Sequence, residues 1–214
     1  MNSFPKREFI VDKVLEGISN AQKDFFEWTK AWVSLAPEYM LNIYIGQALS
    51  KLKPMPQIWF EVGIEDVAVS SQLTKTKDFC KSVQRKNYKS EKIDIVLDEA
   101  DTSIPQVVIE VKNGISEQSD NITLDIIRIC QCLKHAPNLQ YGLFVAFANI
   151  DKNIFISDRL NMILKDMQSI KRNEISLNVE KDFIITLVQS KIVDPDADSW
   201  SWAAACFIIE RKSN

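Results

Sequence analysis

Asp94, Glu110 and Lys112 stand inside runs that otherwise have the composition of buried β-strands. The runs are Ile93-Asp94-Ile95-Val96-Leu97 and Val107-Val108-Ile109-Glu110-Val111-Lys112, rich in β-branched residues and separated by the polar stretch from Asp98 to Pro105. That pattern predicts two strands joined by a loop. Side chains alternate along a strand, so Glu110 and Lys112 project from the same face. An acid and a lysine among buried aliphatics cost several kcal/mol, roughly, unless they are paired or bind a metal. Such an expense is seldom kept for packing alone.

Several kinds of chemistry are excluded by what the chain lacks. It has one histidine, His135, which removes His-Cys-Cys clusters, HExxH zinc sites and sites needing several imidazoles. His135 follows Lys134 at the end of a helical segment, where capping the last carbonyls is the expected role. No GxSxG elbow supplies a serine nucleophile, and the five glycines form neither a Walker loop nor GxGxxG. Cys80, Cys130, Cys132 and Cys206 show no CxxC spacing, so reduced thiols in a cytosolic protein are expected. No apolar run approaches the roughly 18 residues that span a bilayer, and no apolar segment follows the opening charges as in a secretory leader. What remains is chemistry on carboxylates, lysine and a metal.

The net charge of −3 argues against a generic nucleic-acid coat, yet charge is unevenly spread. Lys75, Lys77, Lys81, Arg85, Lys86, Lys89 and Lys92 meet only Asp78 and Glu91 in the same stretch. Charge runs are usually solvated faces. This one ends two residues before Asp94, where a polyanionic substrate would need a basic rim.

Along the 214 residues, apolar periodicity predicts helical structure over 9–32 and a helix opened by Pro37-Glu38 that ends before Pro54. A strand follows at 58–64, then a mixed basic segment over 66–90 with a helix and loops. After the two strands come a polar loop over 113–121, a helix over 122–135, a buried strand over 141–148 and a helix over 154–170. Strands are expected within 175–192 and over 200–209. The length suits one domain: an N-terminal helical extension over 1–36, a core over 37–150, and a helix with strands over 151–214. The expected fold class is α/β, a mixed central sheet flanked by helices.

The strand Ile93-Asp94-Ile95-Val96-Leu97, the strand end Ile109-Glu110-Val111-Lys112-Asn113, and the helix Leu124-Asp125-Ile126-Ile127-Arg128 leading into Tyr141-Gly142-Leu143-Phe144 resemble the PD-(D/E)XK nuclease superfamily. Pro37-Glu38-Tyr39 opening an apolar helix fits the same pattern, and the resemblance covers about residues 37 to 150. It implies a restriction-endonuclease-like core in which Asp94 and Glu110 hold Mg²⁺ or Mn²⁺, Lys112 positions or activates water, and Glu38 is a helix-borne additional ligand. Ile93 stands where the motif's proline would be. The implied activity is phosphodiester hydrolysis, with DNA the expected substrate, the segment from Lys75 to Lys92 contacting phosphates, and defence against foreign DNA a matching role. Hard oxygen ligands suit such a metal, which lowers the pKa of bound water and clamps phosphate oxygens.

A second Glu-x-Lys, Glu210-Arg211-Lys212, follows an aspartate-rich loop and is expected to be a frayed, solvated strand end. Glu61 can face the cleft or away from it. Asp125 and Arg128 are expected to form a helix ion pair, and Gln131 to lie on a polar helix face. Trp200 and Trp202 share a face suited to core or to an oligomer interface. Two other functions fit the chain. One is a catalytically silent module of the same fold that binds nucleic acid or a protein partner. The other is a subunit docked in a larger complex.

Overall fold

The computed structural model describes residues 4–71, 92–115, 120–151, 155–193 and 200–213. Helix α1 (Arg7–Thr29) leads through a short 3₁₀ turn to α2 (Glu38–Leu49), β1 (Gln57–Gly63) and α3 (Ile64–Ser70). Next come β2 (Lys92–Asp98), β3 (Pro105–Asn113), α4 (Asp120–His135), β4 (Tyr141–Asp151) and α5 (Ile156–Gln168). A two-residue ribbon of β5 (Lys171–Arg172) and β6 (Leu177–Asn178) precedes α6 (Val179–Asp182), β7 (Phe183–Gln189) and β8 (Trp200–Arg211).

Among the described residues six strands form one mixed sheet in the order β1-β2-β3-β4-β8-β7. β3 and β4 are parallel, joined by the crossover through α4, and every other pairing is antiparallel. A parallel pair needs a covering connection on the sheet face, which explains the continuous burial of β3 and β4 on both sides. On one face α1 and α2 pack Ile10, Val14, Leu41 and Ile45 against Ile95, Ile109, Leu143 and Val145. On the other, α4 and α5 bring Ile126, Ile129, Leu160 and Ile163 onto Val96, Val108, Phe144 and Phe207. Each fully buried side chain of this kind stabilises the fold by about 1.5–3 kcal/mol.

The contact between α1 and α2 is close because Gly17 has no Cβ. A Cβ there would come within 2.6 Å of the Ile45 Cα and 2.9 Å of the Tyr44 carbonyl oxygen. These are backbone atoms, so no rotamer change could relieve the crowding.

The helices and strands follow the hydrophobic pattern, with several differences. The first helix is continuous for 23 residues, and Ile64 opens α3 instead of closing β1. The 175–192 segment contains strands as expected, the two-residue β6 and the longer β7, with the short α6 between them. The end of β8 is not frayed. Glu210 pairs in register with Ile184 and takes Arg7 at 2.5 Å, while Lys212 donates to the Glu180 carbonyl at 2.6 Å. Arg211 donates to the carbonyls of Leu133, Ala136, Pro137 and Leu139. It thereby supplies donors to Leu133 in the last turn of α4 and to the loop that follows that helix. Trp202 packs on Phe147 with ring centroids 5.6 Å apart, joining the core on the α1–α2 face. Cys130, Cys132 and Cys206 are buried free thiols. Among the described residues no helix is long and apolar enough to cross a membrane.

Candidate functional site

Charged residues converge where β2 and β3 part company. Their register runs from Asp98 opposite Pro105 to Ile95 opposite Ile109 and stops there. Beyond that point β3 stays paired with β4 on its other side, Glu110 opposite Phe144 through Asn113 opposite Phe147. The Val111 N–H, which would otherwise seek a carbonyl of β2, donates to Asp94 Oδ2 at 2.7 Å. The carboxylate of Asp94 thus takes the place of a ladder partner and is held at the mouth of the divergence.

Glu110 is buried, with 1% of its surface exposed. Its Oε1 accepts from Arg128 of α4 at 2.5 Å. Lys112, on the same face two residues on, lies 3.1 Å from Asp125 Oδ2 of α4 and 3.4 Å from Glu38 Oε1 of α2. The other oxygen of Glu38 accepts from the Asn113 N–H at 3.3 Å, while the Asn113 side-chain amide donates to the Ala36 carbonyl just before α2. The amino end of α2 is therefore tied to the end of β3, with Glu38 in its first turn.

Arg128 also contacts Asp125 at 3.3 Å and the Lys92 carbonyl at 3.4 Å. The expected helix ion pair exists, but its members reach beyond the helix. Asp125 and Arg128 are part of the cluster, each pairing with one of the two charged residues of β3. The sequence held a usable signal, because buried charges on β3 required partners and these two lie one helical turn apart facing it.

The electrostatics match four carboxylates (Glu38, Asp94, Glu110, Asp125) facing two cations (Lys112, Arg128). Burial pushes the Asp94 carboxyl above its ordinary range, and negative Glu38 adds to this. The Val111 N–H, Lys112 and Glu110 work in the other direction. Complete burial raises Glu110 well above the usual carboxylate range, with Asp94 and Asp125 adding to it and Arg128 opposing. Burial would lower Lys112, but Asp125, Glu38 and Asp94 outweigh it and hold its ammonium charged above the usual lysine value.

All four residues expected at the centre, Glu38, Asp94, Glu110 and Lys112, thus meet at one end of the sheet. Glu61 does not join them. It is exposed, has φ 54°, and pairs with Lys92 at 3.8 Å. Of the basic stretch, Lys92 is exposed at the start of β2, next to the cluster through its carbonyl. Lys75, Lys77, Lys81, Arg85, Lys86 and Lys89 lie outside the described residues. Gln131 is fully buried and neither of its amide atoms has a hydrogen-bond partner, contrary to the expected polar face.

Among the described residues, no three His, Cys, Asp or Glu side chains are spaced to cage a metal ion. Mg²⁺ does not need such a cage, since it commonly binds through one or two carboxylates and keeps several waters. Asp94 and Glu110 supply hard oxygens of the right kind. Among the described residues the four carboxylates face two cations, and burial is the first cause of the upward shift of both Asp94 and Glu110.

No protein-family model matches the chain, and no curated protein or solved structure matches it.

Proposed function

We infer that this chain is a metal-dependent nuclease acting on phosphodiester bonds, with DNA as its substrate. The observation that carries the reading is the meeting of Asp94, Glu110, Lys112 and Glu38 at the gap between β2 and β3. The order of α2, β1, β2, β3, α4 and β4, with α3 inserted after β1, supports the helix-strand core implied by the resemblance to PD-(D/E)XK nucleases. Asp94 and Glu110 would hold Mg²⁺ or Mn²⁺. When bound, the ion would supply Lewis acidity, lowering the pKa of water and offsetting charge on the phosphate.

The chain's own residues divide the remaining work. Arg128 fixes the orientation of Glu110 by its 2.5 Å contact, which limits the reorganisation needed when a ligand arrives. Lys112 is a charged ammonium with two acidic neighbours, so it can orient an attacking water or bind a phosphate oxygen without losing its proton. Glu38 ties Lys112 and the Asn113 N–H to α2, setting where that ammonium points. The Lys92 ammonium is engaged by Glu61, and only its carbonyl reaches the cluster, through Arg128.

A catalytically silent module of the same architecture is favoured by one specific observation. Arg128 and Lys112 already neutralise part of the acidic set from within the chain. Such a module would bind nucleic acid or a partner protein without hydrolysis.

The deciding experiment incubates wild type and Lys112→Ala with plasmid, linear duplex, single-stranded DNA and RNA, in Mg²⁺, in Mn²⁺ and in EDTA. Cleavage is expected with either metal, with none in EDTA and a loss of about 10²-fold or more in the variant. Cleavage that persists in Lys112→Ala removes the assigned role. Failure of Mn²⁺ to bind in a calorimetric titration, with DNA affinity intact, supports the silent module.

A further inference from the structure

A cavity of about 400 Å³ opens on the face of β1 and β2 beside α3, with none of the residues of the Lys112 cluster in its lining. Its walls include the Trp59 ring, Val67, Val96 and Pro105. Its charged lining is acidic, with Glu61, Asp66 and Asp98, and Ser70 and Ser103 are its other polar side chains. Glu61 has Lys92 as a partner, whereas among the described residues no cation pairs with Asp66 or Asp98.

Asp98 is the informative group. It is 6% exposed, and its Oδ1 has no hydrogen-bond partner. Burial pushes its carboxyl up to about 6, and the Trp59 indole works the other way as a donor. A carboxylate buried without a counter-charge destabilises the fold unless a ligand supplies the missing donor. The Asp66 carboxylate lies over the end of β1. A Cβ on Gly63 would come within 2.9 Å of its Oδ2, so glycine at this position admits the acid. Trp59 is half exposed. Its aromatic surface in this cavity is suited to stacking against a planar cation.

We propose that this cavity binds a guanidinium group carried on an aliphatic stem, with Asp98 accepting its hydrogen bonds and Trp59 stacking on its plane. A guanidinium is preferred to an ammonium because its planar fork can serve a carboxylate while it lies against a ring. The group can come from a free small molecule or from an arginine of a partner segment. The second source has a place to lie, because β1 is an edge strand of the sheet among the described residues.

The test titrates wild type and Asp98→Asn by calorimetry with three probes. These are agmatine, a short blocked peptide of alternating threonine and valine with one central arginine, and the same peptide with citrulline in place of arginine. The indole resonance of Trp59 is followed in parallel. Binding of agmatine or of the arginine peptide is expected, with no binding of the citrulline peptide and at least about tenfold weaker binding by Asp98→Asn. Agmatine binding as tightly as the peptide identifies a small-molecule site, whereas binding of the peptide alone identifies a partner strand. The melting temperature of Asp98→Asn is expected to equal or exceed that of wild type at neutral pH. The proposal is overturned if neither guanidinium probe binds, if Asp98→Asn binds equally well, or if that variant melts lower, which would mark Asp98 as a structural group.

Discussion

Replacing Arg128 by methionine tests the electrostatic account of the cluster directly. Arg128 is the cation in contact with a carboxylate that is almost completely inaccessible, their side chains being 14% and 2% exposed. Removing one member of such a pair leaves an uncompensated buried charge, at a cost of about 3–5 kcal/mol. For a domain of this size each kcal/mol lowers the melting temperature by about 2–4 °C, so Arg128→Met should melt about 6–20 °C below wild type at pH 8. The sign of the pH dependence follows from the raised Glu110 carboxyl. Between its unfolded and folded pKa values the native state binds more protons than the unfolded chain, so stability falls as pH rises. Loss of Arg128 raises the folded value further, so the deficit should grow with pH and shrink on acidification. Thermal melts of wild type, Arg128→Met, Glu110→Gln and the double variant, each from pH 5 to pH 8, measure it. The double variant should recover most of the loss at pH 8. A pH-independent deficit of a degree or two would refute the argument, because the Glu110 charge would then be solvated by something other than Arg128.

Other consequences can be measured with equal economy. Mn²⁺ affinity, followed by calorimetry across pH, should weaken on acidification while still above the ordinary carboxylate pKa of about 4, because both Asp94 and Glu110 titrate high. A midpoint at 4 would show that neither acid holds the ion. Gly17→Ala should lower stability by about 1–3 kcal/mol, or about 2–12 °C in melting temperature, since the new methyl meets the Ile45 backbone at 2.6 Å. An unchanged melting temperature would mean that α1 and α2 separate freely.

The central strands and their covering helices were legible because burial on both faces leaves a simple record, long apolar runs for β3 and β4 and a three-to-four spacing for α4. Asp94, Glu110 and Lys112 could be singled out because each interrupts such a pattern, whereas Glu38 was pointed to by the resemblance to PD-(D/E)XK nucleases. Their partners were harder to see. Asp125 and Arg128 look like an ordinary intrahelical pair, and only the rotation of α4 onto the sheet shows that both point toward β3. The role of Arg211 was hidden for a similar reason. Its four carbonyl acceptors lie in residues 133–139, more than seventy positions away in sequence. Asp98 reads as a loop acid, and its burial depends on Trp59 and Pro105 being brought beside it.

The strand order carries a consequence for synthesis. β8 lies between β4 and β7, although it is made after both. A nascent chain therefore holds one side of β4 unpaired, and β7 without its partner, until the 200–211 segment has emerged. Residues 203–209 are buried throughout, so this segment enters as an apolar wedge. Closure of the sheet is thus a late event joining distant parts of the chain, the step most exposed to intermolecular pairing and the one at which a chaperone would give the greatest benefit.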